Sequence, residues 1–128
     1  MKSFHSEIEE ETLQNSNFRK VLFTANYMQL VVMNLKPGED IGMEVHDTVD
    51  QFIRVEAGEG KAVLDGEEIP LKDGTAVVVT AGTEHNIVNT SKSEDMKLYT
   101  IYSPSNHPDG TVHVSREEAM AAEDEHSH

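Results

Sequence analysis

Glu44, His46 and Gln51 are the first residues of this 128-residue chain whose types and spacing could do chemistry. In a strand, residues two apart point to one face about 6.7 Å from each other, so the Glu44 carboxylate and the His46 imidazole would aim at one spot. Asp47 to Asp50 have the length of a four-residue hairpin loop. That loop would return Gln51 on the neighbouring strand opposite His46, with facing Cβ atoms about 5 Å apart. A carboxylate, an imidazole and an amide oxygen gathered in this way are donors for a divalent cation, and a cation would remove the cost of burying the carboxylate unpaired. The alternative is a metal-free pocket in which Glu44 and Gln51 hydrogen-bond to histidines.

The elements that must position these residues are short strands. Phe18 to Phe23 and Tyr27 to Leu35 are rich in β-branched and aromatic residues around a Thr24-Ala25-Asn26 turn, and Lys36-Pro37-Gly38 ends the second run. Strands are then expected at Gly42 to Asp47, Gln51 to Ala57, Lys61 to Leu64, Glu67 to Leu71, Thr75 to Thr80, His85 to Asn89 and Lys97 to Tyr102. Gly58-Glu59-Gly60, Asp65-Gly66, Lys72-Asp73-Gly74 and Ala81-Gly82-Thr83 serve as turns. Such a density of strands and turns indicates an all-β sandwich or barrel. Ser6 with Glu9 and Ser115 with Glu118 have the spacing of capping boxes, predicting a short helix over Ser6 to Gln14 and another over Arg116 to Ala122. The final AEDEHSH reads as a disordered tail, in which Glu125-His126-Ser127-His128 could bind metal weakly.

Composition narrows the partners. Twenty-four acidic residues against ten Lys and Arg give a formal net charge of −14, which opposes binding to nucleic acid or anionic lipid. Without cysteine, neither thiolate catalysis nor a thiolate zinc site is possible. Apolar runs such as Leu30 to Met33 are far shorter than a membrane span, and the N-terminus lacks a signal-like apolar core, so one soluble cytoplasmic domain is expected. Gln51, Ile53 and Val55 share the face of their strand that is otherwise apolar, which marks it as interior. No Lys or Arg is expected on the inward parity of these strands, hence no phosphate site. His107 and His113 follow the last long strand and could hang over the barrel mouth, His107 being the stronger candidate.

A second segment repeats the glycine-framed pattern of the first. The two read Gly38-x5-Glu44-x-His46-x4-Gln51-x6-Gly58 and Gly74-x5-Thr80-x-Gly82-x2-His85-x3-Asn89. They resemble the two motifs of the cupin superfamily, G-x5-H-x-H-x4-E-x6-G and G-x5-P-x-G-x2-H-x3-N. Every spacing agrees, while Glu44 replaces the first His, Gln51 the Glu and Thr80 the Pro. The resemblance spans residues 18–103 and implies a double-stranded β-helix barrel, with residues 1–17 as an N-terminal arm and 104–128 as a C-terminal loop, helix and tail. It also implies a metal held by Glu44, His46, Gln51 and His85, with two positions of a six-coordinate ion left for water or substrate. Mn, Fe, Co, Ni or Zn would each suit that donor set. Ile53, Ile87, Thr100, Tyr102 and His107 are the expected pocket lining. Family habit further implies a homodimer, with outward-facing Phe52 as an interface anchor.

Gln at the third ligand position is similar to the small cupins that linearise unsaturated uronates. Those proteins carry an Asp where this chain has Thr100 and an Arg where it has Asn106, so the resemblance carries over barrel and metal but not the activity. Three functions follow as expectations. The first is a metal-dependent, isomerase-like enzyme acting on a sugar or sugar acid. The second is an iron-dependent dioxygenase, and the third a non-catalytic ligand-binding or sensor cupin.

Overall fold

The computed structural model describes residues 2–126, with side chains through Glu123; the tail site expected at Glu125 to His128 lies outside the described side chains. Nine strands form among the described residues: β1 (Arg19–Thr24), β2 (Gln29–Leu35), β3 (Asp50–Ala57), β4 (Gly60–Leu64), β5 (Glu67–Leu71), β6 (Ala76–Val79), β7 (His85–Asn89), β8 (Met96–Ser103) and β9 (Val112–His113). Helices α1 (Ile8–Gln14) and α2 (Arg116–His126) precede and follow them. One sheet has the order β6-β3-β8-β2-β1-β9 and the other β5-β4-β7. All pairings are antiparallel, so the expected all-β two-sheet architecture is what forms.

Strict alternation sets the interior. Gln51, Ile53 and Val55 of β3 and Met96, Leu98, Thr100 and Tyr102 of β8 are buried, while the residues between them are partly exposed. β2 departs from alternation, being buried on both faces from Val31 to Leu35, because α1 packs over the outer face of β2, β3 and β8. Lys97 Nζ fastens that layer by donating to the Asn15 carbonyl at 2.6 Å and to Asn34 Oδ1 at 3.0 Å. Phe52 does face outward, where it is partly buried with its ring centroid 6.2 Å from that of Tyr99.

Turn chemistry holds the register. Asp65 (φ 48°) and Gly66 (φ 85°) supply the two left-handed residues that the tight β4–β5 hairpin requires. Gly58 combines φ +95° with a close approach: an added Cβ would stand 2.6 Å from the Asp95 carbonyl oxygen and 2.9 Å from Met96 Cα.

Several expected boundaries shift. α1 is capped by Glu7 rather than Ser6, without a side-chain capping bond; Glu9, Glu10 and Glu11 in its first turn already complement the positive helix end. Ser115 does cap α2, its Oγ accepting from the Glu118 N–H at 3.1 Å, but the helix continues through part of the expected tail to His126. β9, two residues long, is too short to give a periodic signal. The largest change concerns Gly42 to Asp47, which forms no regular strand. It meets β7 through the isolated bridges Asp40 to Val88 and Glu44 to His85 and through the Gly42 N–H, which donates to Asn86 Oδ1 at 2.9 Å. Four steps on one side oppose three on the other, a bulge centred on Gly42 (φ +107°).

Candidate functional site

The bulge decides how the site is built. Backbone bonds of 2.8 Å in both directions join Glu44 to His85, and the Gly82 N–H donates to the His46 carbonyl at 2.8 Å. The Glu44–His46 segment is thereby an irregular margin of the smaller sheet. Gln51, in contrast, pairs with Val79 and Tyr102 in the larger sheet. The expected hairpin placing Gln51 opposite His46 is therefore not formed. The two halves of the first motif lie on different sheets, because Asp47 to Val49 carry the chain from one sheet to the other instead of turning it back.

Each buried donor is oriented by a neighbour. Gln51, 3% exposed, donates through Nε2 to Thr100 Oγ1 at 3.0 Å, and its Oε1 is buried without a hydrogen-bond partner. His85, also 3% exposed, has Nδ1 3.0 Å from the Thr83 carbonyl oxygen. A carbonyl only accepts, so Nδ1 carries a proton and Nε2 is the nitrogen left to ligate. The His46 ring lies 5.1 Å from that of His85 and meets Tyr102 edge-on at 6.1 Å. His46 Nε2 is 3.6 Å from Glu44 Oε2, slightly beyond the ~3.0–3.4 Å between two donors of one ion with bonds of about 2.1 Å. Among the described residues no three His, Asp or Glu side chains have closed on a common point. Of the four expected donors, Gln51 and His85 are thus buried and held by neighbours, and Glu44 and His46 are partly exposed.

Burial pushes the Glu44 carboxyl up, against the attraction of Arg19 and His85. It pushes the His46 imidazole down, an effect that the charge of His85 adds to. An orphaned amide oxygen, one imidazole held in the ligating tautomer, and a carboxylate with a second imidazole beside it fit a divalent transition metal.

The mouth is a cleft of about 540 Å³ lined by Glu44, His46, Ser105, Asn106, His107, Pro108 and Glu123. Gln29 holds its loop in place. Buried completely, it donates through Nε2 to the His107 carbonyl at 2.7 Å and accepts from the N–H groups of Asn106 and His107. His107 Nε2 is 3.4 Å from the Tyr102 hydroxyl. Burial, reinforced by Arg19, pushes the His107 imidazole down to about 3, and burial pushes the Tyr102 phenol up to about 12. Thr100 is buried against Gln51; Ile53 and Ile87 are buried in the hydrophobic core.

Arg19 corrects the expectation that no cation faces inward. It is 1% exposed, and its charge acts on Glu44, His46, Tyr102, His107 and Glu123. Its Nη1 lies 3.2 Å from His113 Nδ1, on the strand to which it is paired. The signal was present in β1, where Arg19 shares its face with buried Val21. Glu123 of α2, whose carboxyl is pushed up by burial and then by Glu44, escaped sequence reading because it belongs to a tail without apolar periodicity.

With this geometry in place, residues 31–102 match the family described as Cupin domain. The chain is a cupin. It is 45% identical over 129 residues to the uncharacterized protein YrkC of Bacillus subtilis (strain 168), an alignment covering 96% of this cupin and 69% of YrkC. The crystal structure of BH2720 from Bacillus halodurans superposes with a TM-score of 0.91 at 40% identity, covering 94% of this cupin and 95% of that chain. KdgF from Halomonas sp. is similar in fold, with a TM-score of 0.63 and 24% identity over 69% of this cupin and 80% of KdgF.

Proposed function

We propose that this cupin holds a divalent transition metal through Glu44, His46, Gln51 and His85, and that it is a metal-dependent enzyme acting on a small oxygenated molecule, a sugar or sugar acid, by isomerase-like proton transfer. The observation that carries the reading is the Gln51 amide. Thr100 occupies its only donor group, leaving Oε1 buried without a partner among the described residues, and the Thr83 carbonyl occupies Nδ1 of His85, so that Nε2 is the nitrogen left for a metal. A buried polar atom without a partner costs about 1–3 kcal/mol, and a cation removes that cost.

When bound, the metal supplies Lewis-acid polarisation of a substrate carbonyl or hydroxyl. Gln51 contributes a neutral oxygen and Glu44 the single negative charge, so the donor set does not fully neutralise a divalent ion. Tyr102, kept protonated, and His107, kept neutral, offer one hydrogen-bond donor and one acceptor for orienting substrate hydroxyls. Among the described residues Glu123 is the one carboxylate of the cleft outside the proposed ligand set; its raised pKa matches it to proton transfer better than His107.

Metal analysis of protein purified without chelator tests the reading. Stoichiometric metal is expected, and it should be lost in His46→Ala and His85→Ala; metal-free protein with an ordered pocket would refute it. The two-His, one-carboxylate subset also suits iron-dependent oxygen chemistry. Oxygen consumption by the iron-loaded protein, dependent on an added sugar acid, would favour that second reading.

A further inference from the structure

We infer that Arg19 is the anchor for a carboxylate on the ligand, which enters the cleft beside the proposed metal ligands and is held side-on by the Nε–Nη2 edge of the guanidinium. This deepens the reading of the cleft as a small-molecule site and rests on it.

Arg19 is buried, yet among the described residues only Nη1 has a hydrogen-bond partner; Nε and Nη2 are both buried without a hydrogen-bond acceptor. Those two nitrogens form one edge of the guanidinium and present parallel N–H groups at the spacing of a carboxylate's two oxygens. Leaving that edge unsatisfied is costly for a buried ion. Among the described residues no side chain meets that edge with good hydrogen-bond geometry, although the Tyr102 hydroxyl interacts with the guanidinium. The Glu123 carboxylate has its Oε1 3.9 Å from Nη2, in charge contact but beyond hydrogen-bond reach. Glu123 lines the cleft together with Glu44 and His46, so the open edge lies directly behind a wall of the cleft, and a ligand carboxylate would reach it by displacing the Glu123 side chain.

A carboxylate suits the site better than a phosphate. Among the described residues Arg19 is the one Lys or Arg whose charge acts on Glu44, His46, Tyr102, His107 and Glu123, beside smaller effects of the neighbouring histidines, and Glu44 and Glu123 already feel its charge. A single negative charge balances Arg19, whereas a phosphate dianion would add repulsion.

The test is calorimetric titration of the full chain, after chelator treatment, with D-glucuronate, its uncharged counterpart D-glucose, and D-glucose 6-phosphate. Saturable binding of glucuronate is expected, with little or none of glucose and weaker binding of the phosphate. Arg19→Lys keeps the charge and removes the fork, and should weaken glucuronate about tenfold or more. Glu123→Gln, on a partly exposed helix position that folding tolerates, should tighten it severalfold. Equal binding of glucuronate and glucose, no binding of glucuronate, tighter binding of the phosphate, or unchanged affinity in both variants would overturn the proposal. Mn²⁺ titration of wild type and Arg19→Lys, run separately, should give equal metal affinities. Absence of Mn²⁺ binding to wild type with glucuronate binding intact would sink the metal reading and leave Arg19 standing.

Discussion

Replacing Thr100 by Val tests whether the Gln51 amide is built to present its oxygen. The change conserves volume and β-branching within buried β8 and deletes the Oγ1 that receives the 3.0 Å bond from Gln51 Nε2. The amide then has an unpaired buried donor as well as an unpaired acceptor, and nothing distinguishes its two orientations. Loss of a group that orients a metal ligand lowers metal affinity ~10–100-fold, which corresponds to about 1.4–2.8 kcal/mol. That agrees with the ~1–3 kcal/mol cost of stranding a buried polar group. Zn²⁺ or Mn²⁺ would be titrated in competition with a chromophoric chelator into wild type, Thr100→Val and Thr100→Ser, with thermal melts of each metal-free protein as the folding control. Thr100→Ser keeps the hydroxyl and should bind within a few-fold of wild type. A Thr100→Val protein that melts normally and binds metal as tightly as wild type would refute the orienting role.

Two further outcomes concern stability. His107 has a folded-state pKa of about 3, below the ~6.5 of an unfolded histidine; the unfolded chain therefore binds a proton that the native state does not. Stability from this group is present above pH ~6.5 and falls by up to ~1.4 kcal/mol per pH unit as pH drops toward 3. In urea unfolding between pH 7 and 4, His107→Gln should lose stability less steeply than wild type, and parallel curves would contradict the burial argument. Gly58→Ala must accept a left-handed backbone and a Cβ against Asp95 and Met96. A cost of about 2–5 kcal/mol is expected, seen as a lowered melting temperature, and a variant as stable as wild type would show that the β3–β4 turn can relax.

The sequence determined by itself the all-β architecture, because the period-two alternation of β3 and β8 and the Asp-Gly and Gly-x-Gly turns are local signals that tertiary packing reinforced. His85 as the partner of the Glu44–His46 segment was legible too, since motif spacing is a property of the chain. What the spacing could not reveal is which strands pair. Gln51 faces β6 and β8 rather than His46, because register is chosen by burial over a whole sheet and not by loop length. The bulge at Gly42 looked like a strand start from composition alone. Arg19 is the clearest case of a decision left to the tertiary structure. Its charge predicts exposure, and only the closure of β1 against β9, with α2 set over the mouth, buries the guanidinium beside Glu44 and Tyr102. Long-range contacts, which sum the packing of residues far apart in the chain, decide where a charge ends up. The local sequence decides only which face of its strand it occupies.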